Sequence, residues 1–169
     1  MIPARIGSKR VKKKNLRLIN DKPLISYIIE TVKKNIENNV KQILKKDGVI
    51  HNNFSKENKL VTNLKDLLKN NKNKKNWSHR LINTESNSAT LICQQPGRGN
   101  RKHYHSNWNE WWLIIDGKWE FEIESIKKIL VKNDIILIKK NKIHKITAIG
   151  KKPAIRLAIS RSDVDHIYV

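Results

Sequence analysis

The chain has 169 residues, 38% hydrophobic and 30% charged, enough for one ordinary domain or one domain with an appendage. No run of about 18 apolar residues is present to cross a membrane. The opening MIPARIGSKR has no signal-peptide core, and the lone Cys93 excludes an internal disulfide or a multi-cysteine zinc site, so a soluble, cytoplasmic protein is expected. The net charge of +21 would suit nucleic acid, but 28 of the 36 cations are Lys, and Lys, Asn and Ile together supply 73 of the 169 residues. Codons for these residues are A/T-rich, and Arg, the bidentate reader of phosphates and guanines, is not enriched. Nucleic-acid binding is therefore not expected as a main function.

The predicted elements divide near residue 76. Residues 1–76 carry a net +14 and form a Lys-rich extension; residues 77–169 carry +7 and all five Trp. Pro23 opens a predicted helix with Leu24, Ile25, Ile28, Ile29 and Val32 on one face. A second helix is predicted over 55–69, with Leu60, Leu64, Leu67 and Leu68 as its stripe, whereas 38–53 is ambiguous. The run KNNKNKKN at 69–76 has nothing to bury and reads as a linker. These helices need a partner surface, either the second part or another copy.

The second part, residues 77–169, reads as all-β. KWEFEIE at 118–124 alternates, with Trp119, Phe121 and Ile123 on one face and Lys118, Glu120, Glu122 and Glu124 on the other. Asp116-Gly117 before it is a hairpin signal. Further strands are predicted at 88–94, 110–115, 126–131, 135–138, 143–149 and 154–160. Many short strands in so short a stretch indicate a sandwich or barrel. Outward-facing Trp111, Leu113 and Ile115 would suit a homodimer contact.

His103 and His105, one residue apart, share a strand face, and Glu110 and His144 can join them on a barrel interior. Three imidazoles and a carboxylate suit one divalent transition metal such as Fe, Mn, Ni, Cu or Zn. Arg98 and Arg101 flank this group and could clamp a carboxylate or phosphate. Trp112, Trp119 and Phe121 would line an aromatic interior, as core or as a platform for a sugar ring. His51, His79 and His166 read as surface or locally hydrogen-bonded residues, and Cys93 as core.

The run Gly97-x5-His103-x-His105-x4-Glu110-x6-Gly117 resembles the first motif of the cupin superfamily. Residues 133–148 resemble the second. There Asn133-Asp134 stand at the usual Gly-Asp, His144 falls on the metal-binding histidine, and Lys139, Asn141 and Ala148 replace the usual Pro, Gly and Asn. The resemblance covers about residues 77–165. It implies a mainly β fold, a double-stranded β-helix or jelly roll, with His103, His105, Glu110 and His144 as metal ligands. It implies metal-dependent isomerase, epimerase or dioxygenase chemistry, or a sensor module without turnover. No separate general base is visible.

Residues 1–36 resemble the opening of acylneuraminate cytidylyltransferases, the makers of CMP-sialic acids. The matching pieces are Ile2-Pro3-Ala4-Arg5, Gly7-Ser8-Lys9-Arg10, Lys14-Asn15 and Lys22-Pro23-Leu24-Ile25. The resemblance implies nucleotide contacts at Arg5, Ser8, Lys9 and Asn15. Ile6 replaces a loop Gly, and the parallel sheet that should hold the loop has no counterpart, so an intact transferase is not expected. The fusion associates the second part with nucleotide sugars and a sugar-related small ligand. The segment Ser162-Asp163-Val164-Asp165 is faintly similar to the closing acidic stretch of sugar-phosphate isomerase cupins.

Overall fold

The computed structural model describes residues 18–32, 50–54 and 58–169. Arg5, Ser8, Lys9 and Asn15 lie outside the described residues, as does the beginning of the predicted 55–69 helix. The chain falls into two compact units, Met1–Asn39 and Val40–Val169.

In the first unit, β1 (Leu18–Ile19) pairs with β2 (Lys22–Pro23) across Asn20 and Asp21. Both turn residues have positive φ, 48° and 57°, a conformation that short polar side chains tolerate. Helix α1 follows Pro23 directly, over residues 24–32. The Tyr27 hydroxyl donates to the Ile19 carbonyl at 2.7 Å and ties α1 to the turn.

The second unit is built from two sheets. One has the order β10-β7-β12-β5-β4-β3 and the other β13-β6-β11-β8-β9. Their strands are β3 (Ile50–Phe54), β4 (Trp77–Asn83), β5 (Ser88–Gln94), β6 (Gly99–Tyr104), β7 (Glu110–Asp116), β8 (Lys118–Ile123), β9 (Ile126–Val131), β10 (Ile135–Ile138), β11 (His144–Ile149), β12 (Ala154–Ser160) and β13 (Ile167–Tyr168). All pairings are antiparallel except β3 with β4. This is the mainly β jelly roll that the resemblance implies.

Seven strands occur where alternation places them. Three that line the site or flank it do not alternate in a legible way: β4, β6 (GNRKHY) and the short β13.

Asp116-Gly117 does not form the expected hairpin. β7 pairs with β10 and β12, whereas β8 pairs with β11 and β9, so the dipeptide is a corner where the chain changes sheets. Gly117 suits the corner because its φ is 77° and a Cβ there would meet Ala154 at 2.6 Å. The hairpin lies one strand later, at Glu124-Ser125 between β8 and β9, where both residues have positive φ. Glu124 therefore belongs to a turn and not to the strand.

Two apolar clusters hold the unit together. Between the sheets, Trp112, Ile114, Trp119, Phe121, Leu130, Ile138, Ile146, Ala148 and Ala154 form the inner core. Outside the larger sheet, Trp77, Leu91 and Cys93 meet Leu64, Leu67 and Leu68 of α2 (Leu64–Asn70). α2 is shorter than the predicted helix because Asn63 caps it by accepting from the Asp66 N–H. Leu60 lies outside the helix and is fully exposed. The predicted apolar face of β7 is thus partly covered from within the chain: Ile115 packs against this outer cluster, while Trp111 remains exposed. Cys93 is a buried core residue, and burial pushes its thiol up to about 11.

Candidate metal centre

Three strands of two sheets deliver the predicted ligands. His103 lies near the end of β6 and His105 just beyond it, separated by one residue so that both rings face the interior. His144 opens β11 directly opposite His103. Glu110 opens β7, and Glu110, Trp112 and Ile114 alternate into the interior. Donor atoms of His105, Glu110 and His144 lie within 4.8 Å of one another. The ring centroids of His103 and His144 are 4.3 Å apart, and those of His105 and His144 5.1 Å.

The imidazoles are oriented from behind. His103 Nδ1 donates to the Arg101 carbonyl at 2.6 Å and His144 Nδ1 to the Lys142 carbonyl at 2.8 Å. These bonds fix the tautomer and leave Nε2 as the free lone pair. His103 Nε2 and His144 Nε2 are buried and have no hydrogen-bond partner among the described residues. Unpartnered buried nitrogens are costly unless something else uses them. Two of them, with that of His144 4.0 Å from the Glu110 carboxylate, fit a divalent cation.

His105 differs. Its Nδ1 donates to the Asp165 carbonyl, and its Nε2 donates to Glu110 Oε2 at 3.0 Å. Burial opposes a charge on His105, but the Glu110 hydrogen bond and carboxylate, with Asp165, raise its pKa above the ordinary value. A proton on His105 thus occupies the position that a cation would take. Burial likewise works against the Glu110 carboxylate. The hydrogen bond and charge of His105, with the charge of His144, outweigh burial and hold Glu110 well below the usual carboxylate range. Burial pushes the His103 pKa down to about 3 and also lowers His144. Both imidazoles are therefore neutral near pH 7, the state that a metal ligand requires.

Residues 90–160 match the family model described as Cupin domain, and residues 1–40 match the one described as Cytidylyltransferase. Residues 90–160 form a cupin domain. Among solved structures, a cupin 2 domain-containing protein from Halorhodospira halophila is 18% identical over 56% of this chain and 70% of that one, with a TM-score of 0.52. TT1209 from Thermus thermophilus is 17% identical over 60% of this chain and 95% of that one, with a TM-score of 0.53. The polyketide cyclase RemF from Streptomyces resistomycificus is 14% identical over 57% and 72%, with a TM-score of 0.51. At such identities the likeness establishes the fold alone. No curated protein matches the chain. No helix among the described residues is long and apolar enough to cross a membrane.

Beside its ligand cluster the cupin domain has a polar cavity of about 50 Å³ that reaches Glu110 and His166. Ser88 and Thr90 of β5, Asn100 of β6 and Ser160 of β12 contribute hydroxyl and amide groups to its wall, and Arg80 and Arg161 contribute cations. The expected Arg98 and Arg101 do not line it. Both are exposed, and Arg101 packs its guanidinium 3.9 Å from the Tyr168 ring centre. Trp112, Trp119 and Phe121 are sealed in the inner core and do not line it either. Trp112 and Phe121 meet edge to face and underlie His144.

His79 is locally hydrogen-bonded, its Nε2 lying 3.3 Å from Asn71 Oδ1, as expected. His166 corrects the reading. It is neither a surface residue nor a merely local one, because its ring centroid lies 5.1 Å from that of His103 and 4.6 Å from that of His105. Burial lowers its pKa to about 4. Its sequence signal is faint: His166 and Tyr168 alternate about Ile167, but nothing local says which strand they would join.

Proposed function

We propose that the cupin domain holds one divalent transition metal through His103, His105, Glu110 and His144 and binds a small polar molecule beside it, such as a sugar or sugar acid. The observation that carries this reading is the pair of buried Nε2 atoms of His103 and His144 that make no hydrogen bond among the described residues, the second of them 4.0 Å from the Glu110 carboxylate. A divalent ion bound there would supply Lewis-acid polarisation of a carbonyl or hydroxyl.

The chain's own residues do the rest. Backbone carbonyls hold His103 and His144 in the ligating tautomer, and Glu110 stays ionised to offset the ion's charge. Ser88, Thr90, Asn100 and Ser160 offer hydrogen bonds to hydroxyl groups. Arg80 gives the cavity wall a cation suited to an acid group, while the guanidinium of Arg161 is paired with Asp163. The cytidylyltransferase match of residues 1–40 supports a nucleotide-sugar setting as an association, not as a mechanism.

A second reading, a binding or sensing module without turnover, is favoured by one observation. Apart from Glu110 and His166, the described residues of the cavity wall include no group suited to general acid or base work near neutral pH. Glu120, Glu122 and Glu124 point away and pair with Lys127, Lys102 and Lys142.

The test is the metal content of untagged protein, purified without chelators and measured by elemental mass spectrometry, beside His103→Ala and His144→Ala. About one transition metal per chain, lost in both variants, is expected. Folded wild-type protein that stays metal-free after reconstitution would defeat the proposal. Metal-loaded protein that gives calorimetric heat with sugar acids or sugar phosphates, but no product by NMR, would select the sensing module.

A further inference from the structure

Resting on the metal reading above, we propose that His166 is a fifth protein ligand, carried to the same ion by the C-terminal strand β13. Donor atoms of His103, His105 and His166 lie within 4.8 Å of one another, as do those of His105, Glu110 and His144. The two groups share His105. Its Nδ1 is engaged by the Asp165 carbonyl, so only Nε2 can offer a lone pair. One lone pair serves one ion, and the two groups therefore describe a single centre.

Strand register accounts for the placement. β13 runs antiparallel to β6, with Ile167 opposite Tyr104 and Tyr168 opposite His103. The next residue pair in that register is His166 with His105. With a side-chain period of two, His166 and Tyr168 share the interior face with His103 and His105, while Ile167 points outward and is exposed. The Val164 carbonyl bonds the His166 ring from two residues back, the spacing already seen at His103 and His144.

The segment is pinned against the first motif. The Asp165 carboxylate accepts from the Ser106 N–H at 2.8 Å and from the Ser106 hydroxyl. The Asn107 amide donates to the Asp163 carbonyl at 2.9 Å and accepts from the Asp165 N–H at 3.1 Å. These bonds hold residues 163–166 alongside 105–107, so the His166 ring is placed by a clip that also orients His105. Four ligands leave a six-coordinate ion two exchangeable positions; with His166 bound, one remains. A small molecule would then meet the ion through a single atom, or displace His166 to use two.

Cobalt(II) loaded into the full-length protein tests this. Each histidine bound through Nε2 keeps its Nδ1–H, which gives one exchangeable, hyperfine-shifted proton signal. Four such signals are expected in the wild type, and three would overturn the proposal without any variant. His166→Ala should remove one signal, alter the visible cobalt absorption and weaken Co²⁺ in a chelator competition by roughly 10–100-fold, the loss typical of disturbed metal sites. Tyr168→Phe, on the same strand face but without a nitrogen donor to lose, should leave both readouts unchanged. An unchanged spectrum and affinity in His166→Ala would make His166 a packing residue while leaving the four-ligand centre intact. A wild type that takes up no Co²⁺ would remove the metal reading and this proposal together.

Discussion

The two cupin motifs of this chain differ in how strictly they keep the family pattern, yet both build the site. The first, from Gly97 to Gly117, retains every glycine and ligand. The second, from residue 133 to 148, keeps His144 but has Asn at two positions that usually carry Gly. Both asparagines take the left-handed conformation, Asn133 with φ 74° and Asn141 with φ 64°. Asn tolerates that region because its short polar side chain costs little there. Backbone bonds then complete the turns. Asn133 N–H donates to the Ile114 carbonyl at 2.9 Å, the Asp134 carboxylate accepts from the Val131 N–H at 2.7 Å, and Asn141 N–H donates to the His105 carbonyl at 2.6 Å. The lesson is that a ligand position demands a particular atom, whereas a turn position demands only a backbone conformation.

Acid is expected to act most strongly, and on histidines of both motifs at once. Burial holds the pKa of His103 at about 3 and of His166 at about 4, and lowers that of His144, against an ordinary 6.5. Below pH 6.5 the unfolded chain binds protons that these three refuse, so stability falls as pH drops toward 4. Glu110, held low in the fold, adds to the loss below its ordinary 4.5. His105 is raised and works the other way, contributing stability below 6.5 that fades above it. Three imidazoles against one leave the net loss on the acid side. The urea midpoint of metal-free protein should decline from pH 6.5 to 4; a flat midpoint across that window would mean that water reaches the imidazoles.

Next comes a contact where the motifs touch. A Cβ on Gly99 would lie 1.8 Å from the Ile146 carbonyl oxygen, backbone against backbone between β6 and β11. Gly99→Ala should therefore cost about 3 kcal/mol in urea unfolding. Gly97 has φ 82° but open space around its Cβ direction, so Gly97→Ala should cost only about 1 kcal/mol of backbone strain. Equal losses would show that conformation, not contact, governs the first motif.

The smallest expected effects sharpen the comparison. Asn133→Ala should cost about 1 kcal/mol, whereas Asn133→Gly, which restores the usual residue, should change stability by less than about 0.5 kcal/mol. If glycine proved as damaging as alanine, the Asn133 side chain would have a role that the turn geometry does not reveal.

Much of the site was legible. His103, His105, Glu110 and His144 come together as their spacing and parity suggested, because period-two alternation is a local property of a strand. The aromatic interior was legible too, but its role was not. Trp112, Trp119 and Phe121 alternate inward, and only packing distinguishes a sealed core from a ligand-facing wall. The arginines that line the cavity were illegible for a related reason. Arg98 and Arg101 are near the histidines in sequence, whereas Arg80 and Arg161 reach the cavity from β4 and from just past β12, far away along the chain.

The sequence by itself determined the strand positions with strong alternation and the interior parity of His103, His105, Glu110 and His144. Each follows from a residue and its near neighbours. Only the tertiary structure decided that β7 and β8 belong to different sheets, that α2 covers the outer face of the larger sheet, and that β13 sets His166 beside His105. Those outcomes depend on which remote strands exchange hydrogen bonds. Every backbone offers the same donors and acceptors, so that choice is made by the packing of the whole unit.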